Sequence, residues 1–89
     1  MHVQNFAKYL RKYILRSGES IYYFQQQSDV PSGQLYRYIN DMSMPSVFMY
    51  TRIMAQIMKQ EARTEEKKGA LLLEAHEALK QSMIERGKA

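Results

Sequence analysis

The chain has 89 residues and no cysteine, so it can form one domain with a modest core, and disulfide bonds and thiolate metal sites are excluded. Its formal net charge is +4, and the excess lies in residues 1–60, where seven basic side chains stand against three acidic ones, while residues 61–89 carry six of each. The first residues lack a basic patch followed by an apolar run, and no apolar stretch approaches the ~20 residues that cross a bilayer, so we expect neither a signal peptide nor a membrane span.

A first helix is predicted over residues 3–16, because apolar residues recur there at helical spacing and leave three basic residues off the stripe. The stripe consists of Val3, Phe6, Ala7, Leu10, Tyr13 and Ile14. Ser17 and Gly18 are expected to end this helix, since glycine readily adopts a positive φ.

Two short helices follow, separated by a turn. The first is predicted over residues 20–27 with Ser20 as its N-cap. Residues 29–31 form the turn, because a residue before proline avoids the α region. Ser32 is then the predicted N-cap of a third helix, which runs to about residue 39 and has Leu35, Tyr38 and Ile39 on its inner side.

Two further helices complete the predicted elements. Ser46 is expected to cap a fourth helix that runs to about residue 60, with an apolar stripe of Val47, Tyr50, Ile53, Met54 and Ile57. A fifth helix is predicted over residues 64–86, with Thr64 in an imperfect capping box at its start and Gly87 at its end. Its stripe is Leu72, Ala75, Leu79 and Met83. The sequence therefore predicts an all-α protein, a compact bundle of about five helices.

The pair of short helices has the features of a helix-turn-helix over about residues 20–40. Val30 supplies a buried apolar anchor in the turn, and Leu35 and Ile39 supply the inner side of the second helix. In such a motif the second helix enters the major groove of DNA, where its first residues contact base edges. The outer side carries polar side chains of suitable reach: Ser32, Gln34, Tyr36 and Arg37.

Residues 21–46 resemble the Cro/C1-type (XRE) helix-turn-helix domain. Val30 matches the valine of the family's turn, residues 35–39 match its recognition helix, and Pro45-Ser46 matches the end of the next loop. The resemblance extends over roughly residues 5–60. It implies a lambda-repressor-like fold and a phage- or plasmid-type repressor that binds double-stranded DNA in the cytoplasm, associated with the nucleoid. The basic excess before residue 60 is equally compatible with such a polyanionic partner and with ordinary solvated charge.

Three residues depart from the family pattern. Gln25 replaces a small residue at the crossing of the two motif helices, so its side chain must bend outward or the helix must rotate. Asp29 and Asp41 stand where the family has glycine. Because aspartate tolerates the left-handed region better than most residues, we expect both turns to form.

The resemblance also implies a set of DNA-contacting residues on helix 32–40 and beside it. Ser32 and Gly33 occupy its first positions; Gln34, Tyr36 and Arg37 are the candidate base contacts, since glutamine can pair with adenine and arginine with guanine. The candidate phosphate contacts are Gln26, Gln27, Asn40 and Ser43. Each of these residues has the alternative of being an ordinary surface side chain.

The aromatic residues are assigned mainly to the core rather than to stacking on single-stranded nucleic acid. Tyr13, Phe24, Tyr38 and Tyr50 fall on apolar stripes, whereas Tyr22 and Tyr23 are adjacent and cannot both point inward. We expect no enzyme, metal site or cofactor, because His2 and His76 are far apart and no glycine-rich phosphate loop is present.

The C-terminal helix has apolar residues around much of its circumference, which favours a homodimer through Leu72, Ala75, Leu79 and Met83. The alternative is that it folds back and closes the monomer core, and a mixture of the two arrangements is equally physical. We accordingly divide the chain into a helix-turn-helix domain, residues 1–62, and a C-terminal helix, residues 63–89.

The predicted function is a sequence-specific transcriptional regulator of repressor type that binds DNA as a dimer. A protein-interaction adaptor or antirepressor with the same fold is the alternative, favoured by Asp29 and Asp41, which would repel phosphate. Any regulation would come through a protein partner, proteolysis or concentration.

Overall fold

Five α-helices make up the part of the chain that the computed structural model describes, residues 4–15 and 21–87. In chain order they are α1 (Phe6–Ile14), α2 (Ile21–Ser28), α3 (Ser32–Ile39), α4 (Val47–Glu61) and α5 (Glu65–Gly87). The predicted all-α bundle is confirmed. Of these five helices, none combines the length and the apolar character that a membrane crossing requires.

The first helix begins later than predicted. Asn5 is in an extended conformation, and its side-chain oxygen accepts a hydrogen bond from the backbone N–H of Lys8 at 3.0 Å. This is the geometry of an N-cap, so the helical conformation starts at Phe6. The residues assigned to helix ends that lie outside the described part of the chain are Val3, Arg16, Ser17, Gly18 and Ser20.

The predicted caps of the later helices have different outcomes. Ser46 and Thr64 accept hydrogen bonds from the backbone N–H groups three residues on, which confirms both as caps. Ser32 as an N-cap is wrong. Pro31 occupies that position with φ −56° and ψ 138°, and its carbonyl accepts from the N–H of Leu35. The fixed φ of the proline sets the entry into α3, so Ser32 is already helical.

The core is continuous across all five helices. α1 packs against both α3 and α5, and α4 packs against both α2 and α5. Tyr9, at the centre of α1, is fully buried, although no apolar stripe assigned it to the core. The largest fully buried side chains are Phe6, Tyr9, Leu10, Ile14, Phe24, Val30, Leu35, Ile53, Met54 and Ile57.

The buried side of α5 differs from the predicted stripe by a rotation of the helix. It consists of Leu71, Ala75, Ala78 and Ser82. Ala75 is therefore in the core of the monomer and cannot form part of a surface between two copies, which corrects that assignment. Leu72 and Leu79 are partly buried against the same core, whereas Met83 is exposed. On α4, Val47 is also exposed rather than part of the buried stripe.

Buried hydrogen bonds join α5 to α1. The Ser82 hydroxyl accepts from the backbone N–H of Phe6 at 2.8 Å, and the Tyr9 hydroxyl donates to the carbonyl of Leu71 at 3.1 Å. The first of these bonds satisfies an N–H group that has no partner within α1. Among the described residues, α5 thus shares one core with α1 to α4, and the monomer core is closed by the C-terminal helix.

Candidate nucleic-acid interface

The turn between α2 and α3 has three residues. Asp29 adopts a φ of 58°, as expected for the aspartate that stands in place of a glycine. Val30 is fully buried, which confirms its role as the anchor of the turn. Arg52 of α4 donates from Nη1 to the carbonyl of Asp29 at 3.0 Å. The turn is therefore held in place by the burial of Val30 in the core and by the hydrogen bond from Arg52 of α4.

The two sides of α3 are clearly divided. Leu35, Tyr38 and Ile39 are buried and hold the helix against the core, in agreement with the prediction. The opposite side is exposed along its whole length, so the candidate base contacts all lie at the surface. These exposed residues are Ser32, Gly33, Gln34, Tyr36 and Arg37.

Hydrogen bonds also fix the C-terminal end of α3. The N–H of Asp41 donates to the carbonyl of Tyr38 at 3.2 Å, and the N–H of Met42 donates to that of Arg37 at 2.8 Å. With Asp41 at a φ of 58°, this is a Schellman motif in which aspartate takes the usual place of glycine. Arg11 of α1 donates from Nε to the carbonyl of Ile39 at 3.0 Å, which satisfies one more group at the helix end.

Each of the two positive-φ aspartates has an arginine beside it. Arg52 lies 3.9 Å from a carboxylate oxygen of Asp29, and Arg86 lies 3.6 Å from one of Asp41. Arg86 also donates to the carbonyl of Asp41 at 3.1 Å. The negative charges at the two ends of α3 are thus partly balanced, although these pairs are solvent-exposed and screened.

The four candidate phosphate contacts differ in their exposure and in the hydrogen bonds of their side chains. Gln26 and Gln27 are exposed at the end of α2, and the Gln26 side chain donates to the Tyr22 hydroxyl at 2.8 Å. Asn40 is exposed, but its side chain donates to the carbonyl of Tyr36. Ser43 is half-buried. The two glutamines are therefore the more accessible pair.

The aromatic assignments are mostly confirmed. Tyr13, Phe24 and Tyr38 are buried, and Tyr50 is half-buried against the ring of Phe6. Tyr22 and Tyr23 are both exposed, so neither of the adjacent pair points inward.

In residues 4–15 and 21–87, no three His, Asp or Glu side chains come together in a way that could hold a metal ion. His76 is exposed on α5 and stacks against the ring of Tyr50, with centroids 5.9 Å apart. Its position is that of a surface histidine packed on an aromatic ring.

Comparison of the chain with protein-family models, with curated proteins and with solved structures finds no match.

Proposed function

We propose that the chain is a sequence-specific transcriptional regulator of repressor type, which inserts α3 into the major groove of double-stranded DNA. The observation that carries this proposal is the pairing of a three-residue turn, anchored by Val30, with a following helix whose outer side is exposed along its whole length and carries Ser32, Gln34, Tyr36 and Arg37. This is the arrangement by which a helix-turn-helix presents its second helix. The resemblance of residues 21–46 to the Cro/C1-type domain supports the same proposal.

Gly33 adds support from packing. A Cβ built at this position would meet nothing within 4 Å, so the folded monomer does not require a glycine there. Glycine costs a helix interior about 0.5–1 kcal/mol relative to alanine, and at the second residue of α3 it contributes no side chain to the packing of the monomer. Close approach of a DNA backbone or base to this point of α3 would account for the missing side chain.

The alternative, a protein-interaction adaptor, was favoured by the negative charges of Asp29 and Asp41. The neighbouring Arg52 and Arg86 weaken that argument, because each places a positive charge within 4.0 Å of the carboxylate concerned. The charges around α3 therefore give the adaptor less support than the two aspartates alone would give it.

The first experiment measures binding of the full chain to mixed-sequence duplex DNA by fluorescence anisotropy at two salt concentrations. We expect affinity that falls steeply as salt rises, since phosphate contacts release counterions. Absence of binding at the lower salt concentration would overturn the proposal. Selection from random duplexes then supplies the preferred sequence.

Arg37→Ala should weaken binding to the selected duplex by about 1–3 kcal/mol, because arginine provides the strongest single base contact in α3. Lys80→Ala is the matched control, since it removes the same charge from an exposed position on α5. Equal losses for the two variants would show that only net charge matters and would contradict a base contact by Arg37.

A further inference from the structure

Gly33 and Arg37 form the centre of the outer side of α3. The inner side is marked by the buried side chains of Leu35, Tyr38 and Ile39. With about 100° of rotation per residue, the direction opposite to these three passes between Gly33 and Arg37, within about 30° of each. Both residues are exposed, and they are one helical turn apart. They therefore lie deepest in any groove that α3 enters along its outer side.

Arg37 has its hydrogen-bond donors available to a partner outside the chain. Arg11, Arg52 and Arg86 donate to backbone carbonyls at or beside the two ends of α3. The side chain of Arg37, in contrast, has no hydrogen bond or ion pair within the described residues. Because the side chain of a helical residue leans towards the N-terminus, the guanidinium group of Arg37 can extend over the first turn of α3, beside Gly33.

Gly33 leaves a space of about one methyl group at this point of the helix. A Cβ built there meets nothing within 4 Å, so alanine would fit the folded monomer as well as glycine does. Alanine differs from glycine by one methyl group, and a missing Cβ permits another molecule to approach the backbone closely. Gly33 therefore allows a methyl group of a partner to reach the backbone of α3 beside Arg37.

The major groove of DNA presents chemical groups that match both residues. A guanine presents N7 and O6, the two acceptors to which an arginine can donate in a bidentate manner. The methyl group of the groove is attached to C5 of thymine and, in methylated DNA, to C5 of cytosine. When such a 5-methylpyrimidine stands directly on the 5′ side of a guanine, its methyl group lies next to N7 and O6.

We propose that Gly33 and Arg37 together recognise a 5-methylpyrimidine followed by guanine in double-stranded DNA. Arg37 donates to N7 and O6 of the guanine, and the methyl group of the preceding thymine or 5-methylcytosine packs against the backbone at Gly33. This recognition rests on the proposed function, and it names the base step that α3 selects. Contact of Gly33 with a phosphate group, the other use of a glycine near the start of a helix, would not depend on the methyl group.

Fluorescence anisotropy with four duplexes tests this recognition. They derive from the duplex selected for the full chain and differ at one step, which is TG, UG, CG or 5-methyl-CG. The wild-type chain should bind TG about fourfold more tightly than UG, and 5-methyl-CG more tightly than CG by a similar factor, because each pair differs by one methyl group. The tighter of TG and 5-methyl-CG identifies the pyrimidine that the chain selects.

Gly33→Ala should remove the preference for the methyl group. The added Cβ occupies the space of that group, so binding to TG should weaken at least about fivefold, whereas binding to UG should stay within about twofold of the wild type. Gly69→Ala is the matched control, because a Cβ at Gly69 of α5 also meets nothing within 4 Å. This variant should keep the wild-type preference for TG over UG.

Arg37→Ala locates the guanine of the step. Replacement of that guanine by 7-deazaguanine removes N7, and it should weaken binding of the wild-type chain several-fold. The same replacement should have no further effect on Arg37→Ala, because the donor to N7 is already absent. A full further loss with Arg37→Ala would show that another residue contacts this guanine, which contradicts the proposed pairing.

Three further results would overturn this recognition. The first is a selected duplex without a TG or CG step, and the second is equal binding of the wild-type chain to TG and UG. The third is an equal loss of binding to TG and UG with Gly33→Ala, which would indicate contact with a phosphate group. Duplex binding without a preference for the methyl group would leave the proposed function in place, whereas a chain that binds no duplex would overturn that function itself.

Discussion

At the scale of single residues, Asp29 and Asp41 adopt a left-handed backbone that costs most side chains about 1–2 kcal/mol and costs glycine little. In both cases an arginine from a later helix donates to the carbonyl of the same aspartate. The geometry of the two turns is thus secured by Arg52 and Arg86 as well as by local conformational preference. The use of aspartate instead of glycine in both turns places a carboxylate at each end of α3, the helix proposed to enter DNA.

Asp29→Asn should raise affinity for duplex DNA several-fold without a large change in stability. Its side chain is 91% exposed, and asparagine tolerates the same positive φ. The free energy of unfolding should therefore stay within about 0.5 kcal/mol of the wild type. Anisotropy titrations at low salt measure the gain, and Glu77→Gln on α5 removes an equal charge as the control. An equal gain from Glu77→Gln would contradict a local effect of Asp29.

Two tyrosines differ in whether the hydroxyl group has a partner. The Tyr50 hydroxyl is buried without a hydrogen-bond partner among the described residues, and burial raises the pKa of this tyrosine. The Tyr9 hydroxyl donates to the carbonyl of Leu71. Tyr50→Phe should therefore be neutral or stabilising by up to about 1 kcal/mol, whereas Tyr9→Phe should destabilise by about 1 kcal/mol. Urea denaturation measures both, and a larger loss with Tyr50→Phe would refute this assignment.

At the scale of helices, the sequence predicted α3 and α4 well and α5 only in part. The apolar side of α3 follows directly from its spacing, and Ser46 and Thr64 are recognisable from their cap chemistry. On α5, leucines occur in three successive positions, so hydropathy does not select one side. The buried side contains small residues, Ala75, Ala78 and Ser82, because the aromatic side chains of α1 fill the space between the two helices.

The candidate site was predictable to a similar degree. The exposed polar side of α3 follows from the same spacing that buries Leu35 and Ile39. The contacts of Arg11, Arg52 and Arg86 with the two ends of α3 join residues that are 23 to 45 positions apart in the chain. A periodic pattern contains no information about such pairs, so they become visible only in the folded chain.

The contact between α1 and α5 should make stability depend on pH through Glu74. Its carboxylate accepts hydrogen bonds from Gln4, Lys12 and Tyr13 at 2.6, 2.9 and 2.8 Å. Burial by itself would raise the pKa of Glu74, but these hydrogen bonds outweigh it and hold the pKa below the usual 4.5. A folded-state pKa below the unfolded one means that the stabilisation is complete above pH 4.5 and is lost as pH falls through the lower value.

Glu74→Gln should accordingly reduce the free energy of unfolding near neutral pH by about 1 kcal/mol, and it should flatten the fall of stability as pH drops below 4.5. Thermal melts across this range measure the effect. Glu77→Gln, on the same helix and exposed, should keep the wild-type pH profile. A wild-type profile for Glu74→Gln would show that the three hydrogen bonds contribute nothing to folding.

At the scale of the whole molecule, one core takes side chains from all five helices, α5 included. α5 lies against α1, and α1 in turn lies against α3. A change in the position of α5 can therefore affect α3, the proposed recognition helix, through α1, which contacts both. The neutral charge balance of residues 61–89 also leaves the basic excess of the chain to the other helices.

A chain that ends at Ala62 should consequently fail to fold cooperatively. It would lose the buried side of α5, expose the rings of Phe6 and Tyr9, and leave the N–H of Phe6 without its acceptor. Truncation of one buried side chain costs about 2–5 kcal/mol, and the free energy of unfolding of a small domain is only about 5–15 kcal/mol. The loss of a whole helix with four buried residues therefore exceeds the free energy of unfolding. Far-ultraviolet circular dichroism on heating measures this, with a chain ending at Gly87 as the control. A cooperative transition in the shorter chain would mean that residues 1–62 form an independent domain, and the buried contacts between α1 and α5 would then be dispensable for folding.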